Sequence, residues 1–240
     1  MRVLIISDVH ANLPALEAVL KDAGSVDAVW CLGDLVDYGP DPNECVDLVR
    51  QQPNLVCLLG NHDAAVLGRL DLSFFNREAS LSVQWTQQAL RDDTRQFLEQ
   101  LPERIVVGSC TLVHGSPRNP LWEYLLDLSV VAANFAHFDT TYCLVGHTHI
   151  PVIFHYDGEW IEWVVPKDKE AVTLKTPVIA NPGSVGQPRD RDPRAAYAIF
   201  DPEAGTWEFH RVEYPIDQVQ ERIIKAGLPT YHARRLSEGV

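Results

Sequence analysis

Residues 2–7 read as a continuous β run with the apolar stretch Val3 to Ile6 at its heart, after which the rhythm changes to Leu13, Leu16, Leu20 and Ala23 at helical spacing. Asn12 stands where an N-cap belongs, and Gly24 is placed to stop the helix. A second apolar run, Ala28 to Leu32, ends in Gly33-Asp34. Asp41-Pro42-Asn43-Glu44 then combines a capping box with proline at the first helical position, which predicts a helix over residues 42–51. The third run, Leu55 to Leu59, delivers Gly60-Asn61-His62-Asp63. Three times a buried strand ends in a turn carrying polar groups able to bind metal. Open α/β sheets place their sites just beyond the carboxyl ends of strands, so chemistry is expected there.

Residues 76–100 are polar-amphipathic and predicted helical, with no recognisable chemistry; packing and a rim are the roles expected of them. From Arg104 the pattern turns to short β runs: Ile105 to Val107, Thr111 to Val113, Tyr142 to Val145, Val152 to Tyr156, Trp160 to Val165, Val178 to Ala180, Ala195 to Phe200 and Thr206 to Arg211. One helix, Val130 to Phe138 behind a Ser129 cap, interrupts them. This predicts a second sheet packed on the first. A terminal helix begins at Tyr214-Pro215, buries Ile216, Val219 and Ile223 on one face and ends at Gly227, and residues 228–238 suit one more short helix. No repeat, low-complexity segment or linker divides the chain, so residues 1–240 are read as one domain.

Composition narrows the function classes. The chain is 46% hydrophobic with 6 Trp, 7 Tyr and 8 Phe, enough for a sizeable core, yet no window approaches the roughly 18 apolar residues of a membrane span. The opening run is too brief for a signal sequence, and a soluble protein is expected. Five scattered cysteines, Cys31, Cys45, Cys57, Cys110 and Cys143, form no close pair and suggest reduced, packed thiols in a cytoplasm. A net charge of −13 disfavours long nucleic acid and anionic membrane as partners. A phosphate would need a local positive site, and bound divalent cations would supply one.

The polar strand ends carry the chemistry. Asp8-Val9-His10 sets a carboxylate and an imidazole two apart, where both can face one ion. Gly33-Asp34 adds a carboxylate able to bridge two cations. Gly60-Asn61-His62-Asp63 follows a wholly apolar strand, and a cap at Asn61 leaves His62 unexplained. His114 ends another β run, and Gly146-His147-Thr148-His149 offers two imidazoles on one side. Each alone is also what a turn or cap would show. Five in this order across one chain are not.

In order and spacing these blocks resemble the calcineurin-like metallophosphoesterase superfamily. They are most similar to its small bacterial and archaeal branch, near the bis(5′-nucleosyl)-tetraphosphatase-like and small phosphodiesterase members. Asn181-Pro182-Gly183-Ser184-Val185 looks like that branch's later signature. The resemblance implies an α/β fold, a four-layer α/β/β/α sandwich of two mixed sheets. It also implies two divalent metal ions, one held by Asp8, His10, Asp34 and His149, the other by Asp34, Asn61, His114 and His147. Mn or Fe suits this mixed nitrogen and oxygen set, and Zn, Co or Ni could substitute.

The implied reaction is hydrolysis of a small phosphoester by a hydroxide bridging the metals. His62 would serve the leaving group, with Asp63 orienting its imidazole. Arg118, Asn12 and Arg189 are the expected substrate-binding residues. The branch often has glycine where Asp37 stands, a departure that places an extra negative charge near the mouth beside Tyr38. The competing readings are a dinucleoside-polyphosphate or protein phosphatase, and a non-catalytic scaffold like the superfamily's retromer subunit. Relatives of the scaffold kind lose the catalytic histidine, whereas His62 is present here. The sequence leaves the oligomeric state open.

Overall fold

The computed structural model describes residues 1–240. The first half runs β1 (Val3–Ile6), α1 (Leu13–Ala23), β2 (Ala28–Cys31), α2 (Pro42–Arg50), β3 (Val56–Cys57), α3 (Asn61–Val66), α4 (Arg77–Ala89) and α5 (Asp92–Glu99). Then follow β4 (Arg104–Val107), β5 (Cys110–Val113), α6 (Leu128–Asn134), β6 (Tyr142–Leu144), β7 (Pro151–Tyr156), β8 (Ile161–Val164), β9 (Ala171–Thr173) and β10 (Val178–Pro182). The chain closes with β11 (Ala195–Asp201), β12 (Thr206–Val212), α7 (Ile216–Lys225) and α8 (Thr230–Glu238). Two mixed sheets result, in the orders β3-β2-β1-β11-β12-β9 and β4-β5-β6-β10-β7-β8.

The layering follows from alternation along each strand. In β1, Val3 and Ile5 face the second sheet and pack with Trp30, Leu112, Leu144, Phe200 and Trp207. Leu4 and Ile6 face the other way, into a core shared with Leu16 and Val19 of α1, Val46 of α2 and Val219 and Ile223 of α7. Buried on both faces, β1 must read as apolar throughout, which is why its sequence shows no polar alternation. The far side of the second sheet is covered in part by α6, whose Val131 joins Cys143, Phe154 and Ile179. This is the α/β/β/α sandwich expected from the sequence.

Several local expectations are corrected. The strand-rich second half does not form one sheet: β11 pairs antiparallel with β1, Val3 opposite Phe200, and carries β12 and β9 into the first sheet. Both sheets need centre strands that are apolar on both faces, and such strands look alike in sequence. The third apolar run gives only two residues of strand, and α3, not foreseen, starts at once. Residues 76–100 divide into α4 and α5 at Leu90-Arg91. Asp41 makes no cap hydrogen bond and instead pairs with Arg222 of α7. The cap of α6 is Asp127, whose carboxylate accepts from the Ser129 and Val130 amides. Strand β9, short and largely exposed, had no sequence signal.

Strands β1, β2 and β3 are parallel, as are β5, β6 and β10, so their carboxyl ends gather at one edge of the sandwich. There the turns approach so closely that glycine is needed for space. Gly60 has φ −91°, a conformation open to any residue, but a Cβ on it would collide with the Asp34 amide and carboxylate. Gly60→Ala should therefore lower stability by about 1–3 kcal/mol, the range for overpacking a tight interior. Urea denaturation measures this, and a midpoint equal to the parent's would show that close approach is not what requires glycine.

Candidate metal centre

The buried polar residues of the chain converge at that edge. Asp8 follows β1, Asp34 follows β2, Asn61 opens α3, His114 follows β5, and His147 and His149 follow β6. Donor atoms of Asp8, His10, Asp34 and His149 lie within 4.8 Å of one another, as do those of Asp34, His114 and His147. Asn61 belongs with the second group, its Oδ1 being 3.1 Å from His114 Nε2. All seven are at most 2% exposed, so no water shell relieves their charges.

Backbone geometry is spent on this arrangement. Asp8, His10, Ala11, Asp34, Asp37, Tyr38, His147 and His149 all have φ between 48° and 74°, the left-handed region that side chains rarely occupy. Such strain survives only where the surroundings over-determine it. Here they do: the Gly186 amide donates to Asp8 O at 2.9 Å and the Val185 amide to Ser7 O at 3.0 Å. Ser184 Oγ donates to Asp8 O at 2.9 Å, and Asn181 Nδ2 to Gly146 O at 2.7 Å. The Asn181-Pro182-Gly183-Ser184-Val185 signature thus ties the first and fifth ligand-bearing turns together.

The tautomers follow from the neighbours. His114 Nδ1 lies 2.8 Å from Leu32 O, His149 Nδ1 2.5 Å from Gln187 O and His10 Nδ1 3.4 Å from Val36 O. A carbonyl only accepts, so each Nδ1 carries a proton and the Nε2 of each ring, when neutral, turns a lone pair inward. There it meets other acceptors. His149 Nε2 is 3.1 Å from Asp8 Oδ1, His114 Nε2 3.2 Å from Asp34 Oδ2, and His10 Nε2 3.2 Å from His149 Nε2. Asp8 Oδ1, Asp34 Oδ2 and His147 Nε2 are buried and receive no hydrogen bond.

Protonation does not resolve this crowding. Burial pushes His10 and His149 down, and takes His147 to about 3. Burial opposes ionisation of Asp8 and Asp34 too, but adjacent histidines, His149 for the first and His114 for the second, outweigh it and hold both below the usual carboxylate range. Among the seven ligand residues only His114 gains a second proton: burial lowers it, yet the Asp34 charge more than compensates and lifts it to about 9. One proton cannot balance two ionised carboxylates in a dry pocket, whereas divalent cations on the inward lone pairs can. The residues present therefore fit a metal group.

The remaining expected site residues divide. His62 stands beside the cluster, its ring 5.1 Å from that of His10, and its amide donates to Asp34 Oδ1 at 2.9 Å. Asp63 does not orient it. That carboxylate accepts from the Gly60 amide at 2.9 Å and the Val36 amide at 3.1 Å, as an N3 acid closing the start of α3 should. The group on His62 Nδ1 is Asp37, 2.7 Å away and fully buried. The Asp37 charge thus lies inside the site and not at its mouth, and the departure from the branch pattern marked a residue whose role the sequence did not reveal. Thr86 of α4 reaches the other Asp37 oxygen at 3.5 Å, a contribution from the stretch in which no chemistry was recognised.

Arg118 is occupied by Glu123, its Nε lying 3.1 and 3.2 Å from the two carboxylate oxygens. A surface ion pair has replaced the expected phosphate clamp. Asn12 is also committed: Oδ1 caps α1 at the Ala15 amide and Nδ2 donates to Gly186 O. Arg189 differs, for its NH2 group donates to Gln187 Oε1 while its buried Nε has no partner. Its amide donates to His149 O at 3.3 Å, which sets the residue beside the first ligand group, and its charge helps to lower His10 and His149. Tyr38 packs between His10 and His62, at 4.6 and 4.5 Å, and Tyr124 stacks on His147 at 3.9 Å. The sequence offered Tyr38 as a residue that could line the pocket, whereas Tyr124 carried no signal, a ring residue having no motif of its own.

Comparison with known proteins agrees with this geometry. Residues 1–205 match the calcineurin-like phosphoesterase superfamily domain. The crystal structure of a metallophosphoesterase from Sphaerobacter thermophilus is 51% identical with a TM-score of 0.92, covering 100% of this chain and 99% of that one. An uncharacterized protein of Methanocaldococcus jannaschii is 38% identical over 244 residues, 99% of this chain and 98% of its own. A shorter stretch of 71 residues, 28% of this chain and 25% of the relative, is 37% identical to the symmetrical bis(5′-nucleosyl)-tetraphosphatase of Pseudomonas entomophila. With a buried carboxylate and imidazole cluster at the carboxyl edge of its sheets, the family match over residues 1–205 and two relatives along its whole length, the chain belongs to the calcineurin-like phosphoesterase superfamily and is a phosphoester hydrolase.

Proposed function

We propose that this hydrolase cleaves small phosphoesters using two adjacent divalent cations, one held by Asp8, His10, Asp34 and His149 and the other by Asp34, Asn61, His114 and His147. The observation that carries the reading is the inward meeting of imidazole lone pairs and ionised carboxylates, which share Asp34 between two groups of donors. The mixed nitrogen and oxygen set, free of thiolate, suits Mn or Fe. When bound, two such ions put positive charge on the phosphate oxygens and acidify water for in-line attack. The cytoplasm is the compartment that five buried free thiols favour. The segment resembling the tetraphosphatase makes a dinucleoside polyphosphate the second substrate reading.

The chain's own part in the reaction centres on His62. Burial alone would strip its proton, but the Asp34 charge and the hydrogen bond and charge of Asp37 outweigh this and raise its pKa above the usual imidazole value. A proton held near neutral pH is what a leaving oxygen needs from a general acid. Asp37, fixed on Nδ1, leaves Nε2 as the donating atom and sets the plane of the ring. Arg189, with an unpartnered Nε beside the first ligand group, is placed to hold a phosphate oxygen.

Metal-loaded protein should hydrolyse bis-p-nitrophenyl phosphate, and chelation should abolish the activity. No turnover with any of Mn, Fe, Zn, Co or Ni would favour the scaffold reading. His62→Ala should keep both metals by elemental analysis and lose rate by a factor on the order of 10² to 10⁴; unchanged turnover would remove His62 from the reaction. Because a group with a raised pKa acts as acid only below that value, kcat should fall as pH rises through it. Asp37→Asn should move this descending limb to lower pH, whereas Asp63→Asn should leave the limb in place and cost about 1–2 kcal/mol in denaturation, the worth of a helix cap. A limb that moves with Asp63 and not with Asp37 would reverse the assignment.

A further inference from the structure

Beyond the ligand groups, a row of aromatic rings leads outward from His62. Phe75 meets the His62 ring edge-on with centroids 5.2 Å apart, Trp122 lies 5.1 Å from Phe75, and Phe74 lies 6.1 Å from Trp122. The rings come from two separate segments, the turn at residues 72–75 and the loop after β5. Core packing accounts for the inner pair, which are half-buried, but not for Phe74, which is 75% exposed. Phe74 is nonetheless held on an ordered turn: Asp71 Oδ1 accepts from the Ser73 amide at 2.8 Å, and the Phe75 amide donates to Leu72 O at 3.0 Å. An exposed phenyl ring fixed beside an indole is a stacking platform, and its inner end is the residue that serves the leaving group.

We propose that Phe74, Phe75 and Trp122 form a subsite for the base of a nucleoside phosphoester. This rests on the phosphoesterase reading, since it is the phosphate at the metal centre that directs the ester group along the wall. The length of the wall selects the occupant. An aryl group bonded directly to the ester oxygen would end beside Phe75, whereas a base set one sugar further out reaches Trp122 and Phe74. Stacking also suits a protein with a net charge of −13, because every base offers a π face and no basic surface is required to hold it.

Calorimetry on the Mn-loaded protein tests the subsite with adenosine 5′-phosphate and ribose 5-phosphate, which share phosphate and sugar and differ only in the base. The wild type should bind the adenosine compound more tightly, by about tenfold or more. Phe74→Ala and Trp122→Ala should each shrink that ratio by about fivefold, and Trp122→Phe should retain most of it. Trp160→Ala, removing an equally exposed aromatic on the β7–β8 connection, should leave the ratio unchanged. Equal affinity for the two probes in the wild type, or a ratio indifferent to both alanine variants, overturns the subsite. Loss of bis-p-nitrophenyl phosphate turnover is a separate result that bears on the phosphoesterase reading, and the affinity ratio stands or falls without it.

Discussion

Acceptors facing acceptors in a dry pocket are the constraint around which the rest of the molecule is organised. Asp8 and Asp34 are ionised and fully buried, and the imidazoles beside them keep their protons on the outer nitrogen by donating to main-chain carbonyls. In a low-dielectric interior such a cluster repels itself unless cations lie between its members, so metal binding at this site would be coupled to folding. The strained turns belong to the same account. Eight residues around the cluster hold left-handed backbone, and the amides of residues 185 and 186 lock the first of those turns from the far end of the sequence.

Much of this could be read from the sequence because two periodicities and one chemical rule coincide. Apolar runs of strand length mark β1, β2, β5 and β6, and the polar residues directly after them can only sit at the carboxyl edge of a sheet. A side chain that follows a parallel strand has its position fixed by the strand, so Asp8, Asp34, His114 and His147 were legible as a set, though each alone would pass for a turn or a cap. The partnership of the two sheets was less so. Nothing in the residues of β11 says that it will pair with β1 and not with β10, since both sites demand an apolar strand buried on two faces.

Side-chain partners were the other thing the sequence withheld, and for a physical reason. Asp63 follows His62 directly, and adjacency made it the natural choice to steer the imidazole. Once residues 61–66 wind into a helix, however, an acid at the third position turns back to the first free amides of its own helix, and it is unable to reach the ring. Asp37, distant in sequence, is delivered by a left-handed turn that no pattern of polarity predicts. Arg118 shows the same limit: a guanidinium near a ligand finds whichever carboxylate the loop supplies, and here that is Glu123.

The turn carrying Asp37 and Tyr38 has φ of 74° and 64° at successive residues, and such a pair needs support from outside its own segment. That support comes from the C-terminal helices, which lie beyond the stretch matched to the superfamily. His232 of α8 packs on Tyr38 with centroids 4.6 Å apart, Arg222 of α7 pairs with Asp41, and Trp85 Nε1 of α4 donates to Ala226 O at 3.0 Å. Tyr38 in turn contacts both His10 and His62, so α8 reaches the ligand cluster and His62 through a single ring, while α7 braces the same loop at Asp41. Packing at the end of the chain therefore bears on the orientation of His62 through Tyr38, in addition to the direct Asp37 hydrogen bond, and α7 and α8 are part of the device that holds the site in its strained form, not a peripheral addition to the sandwich.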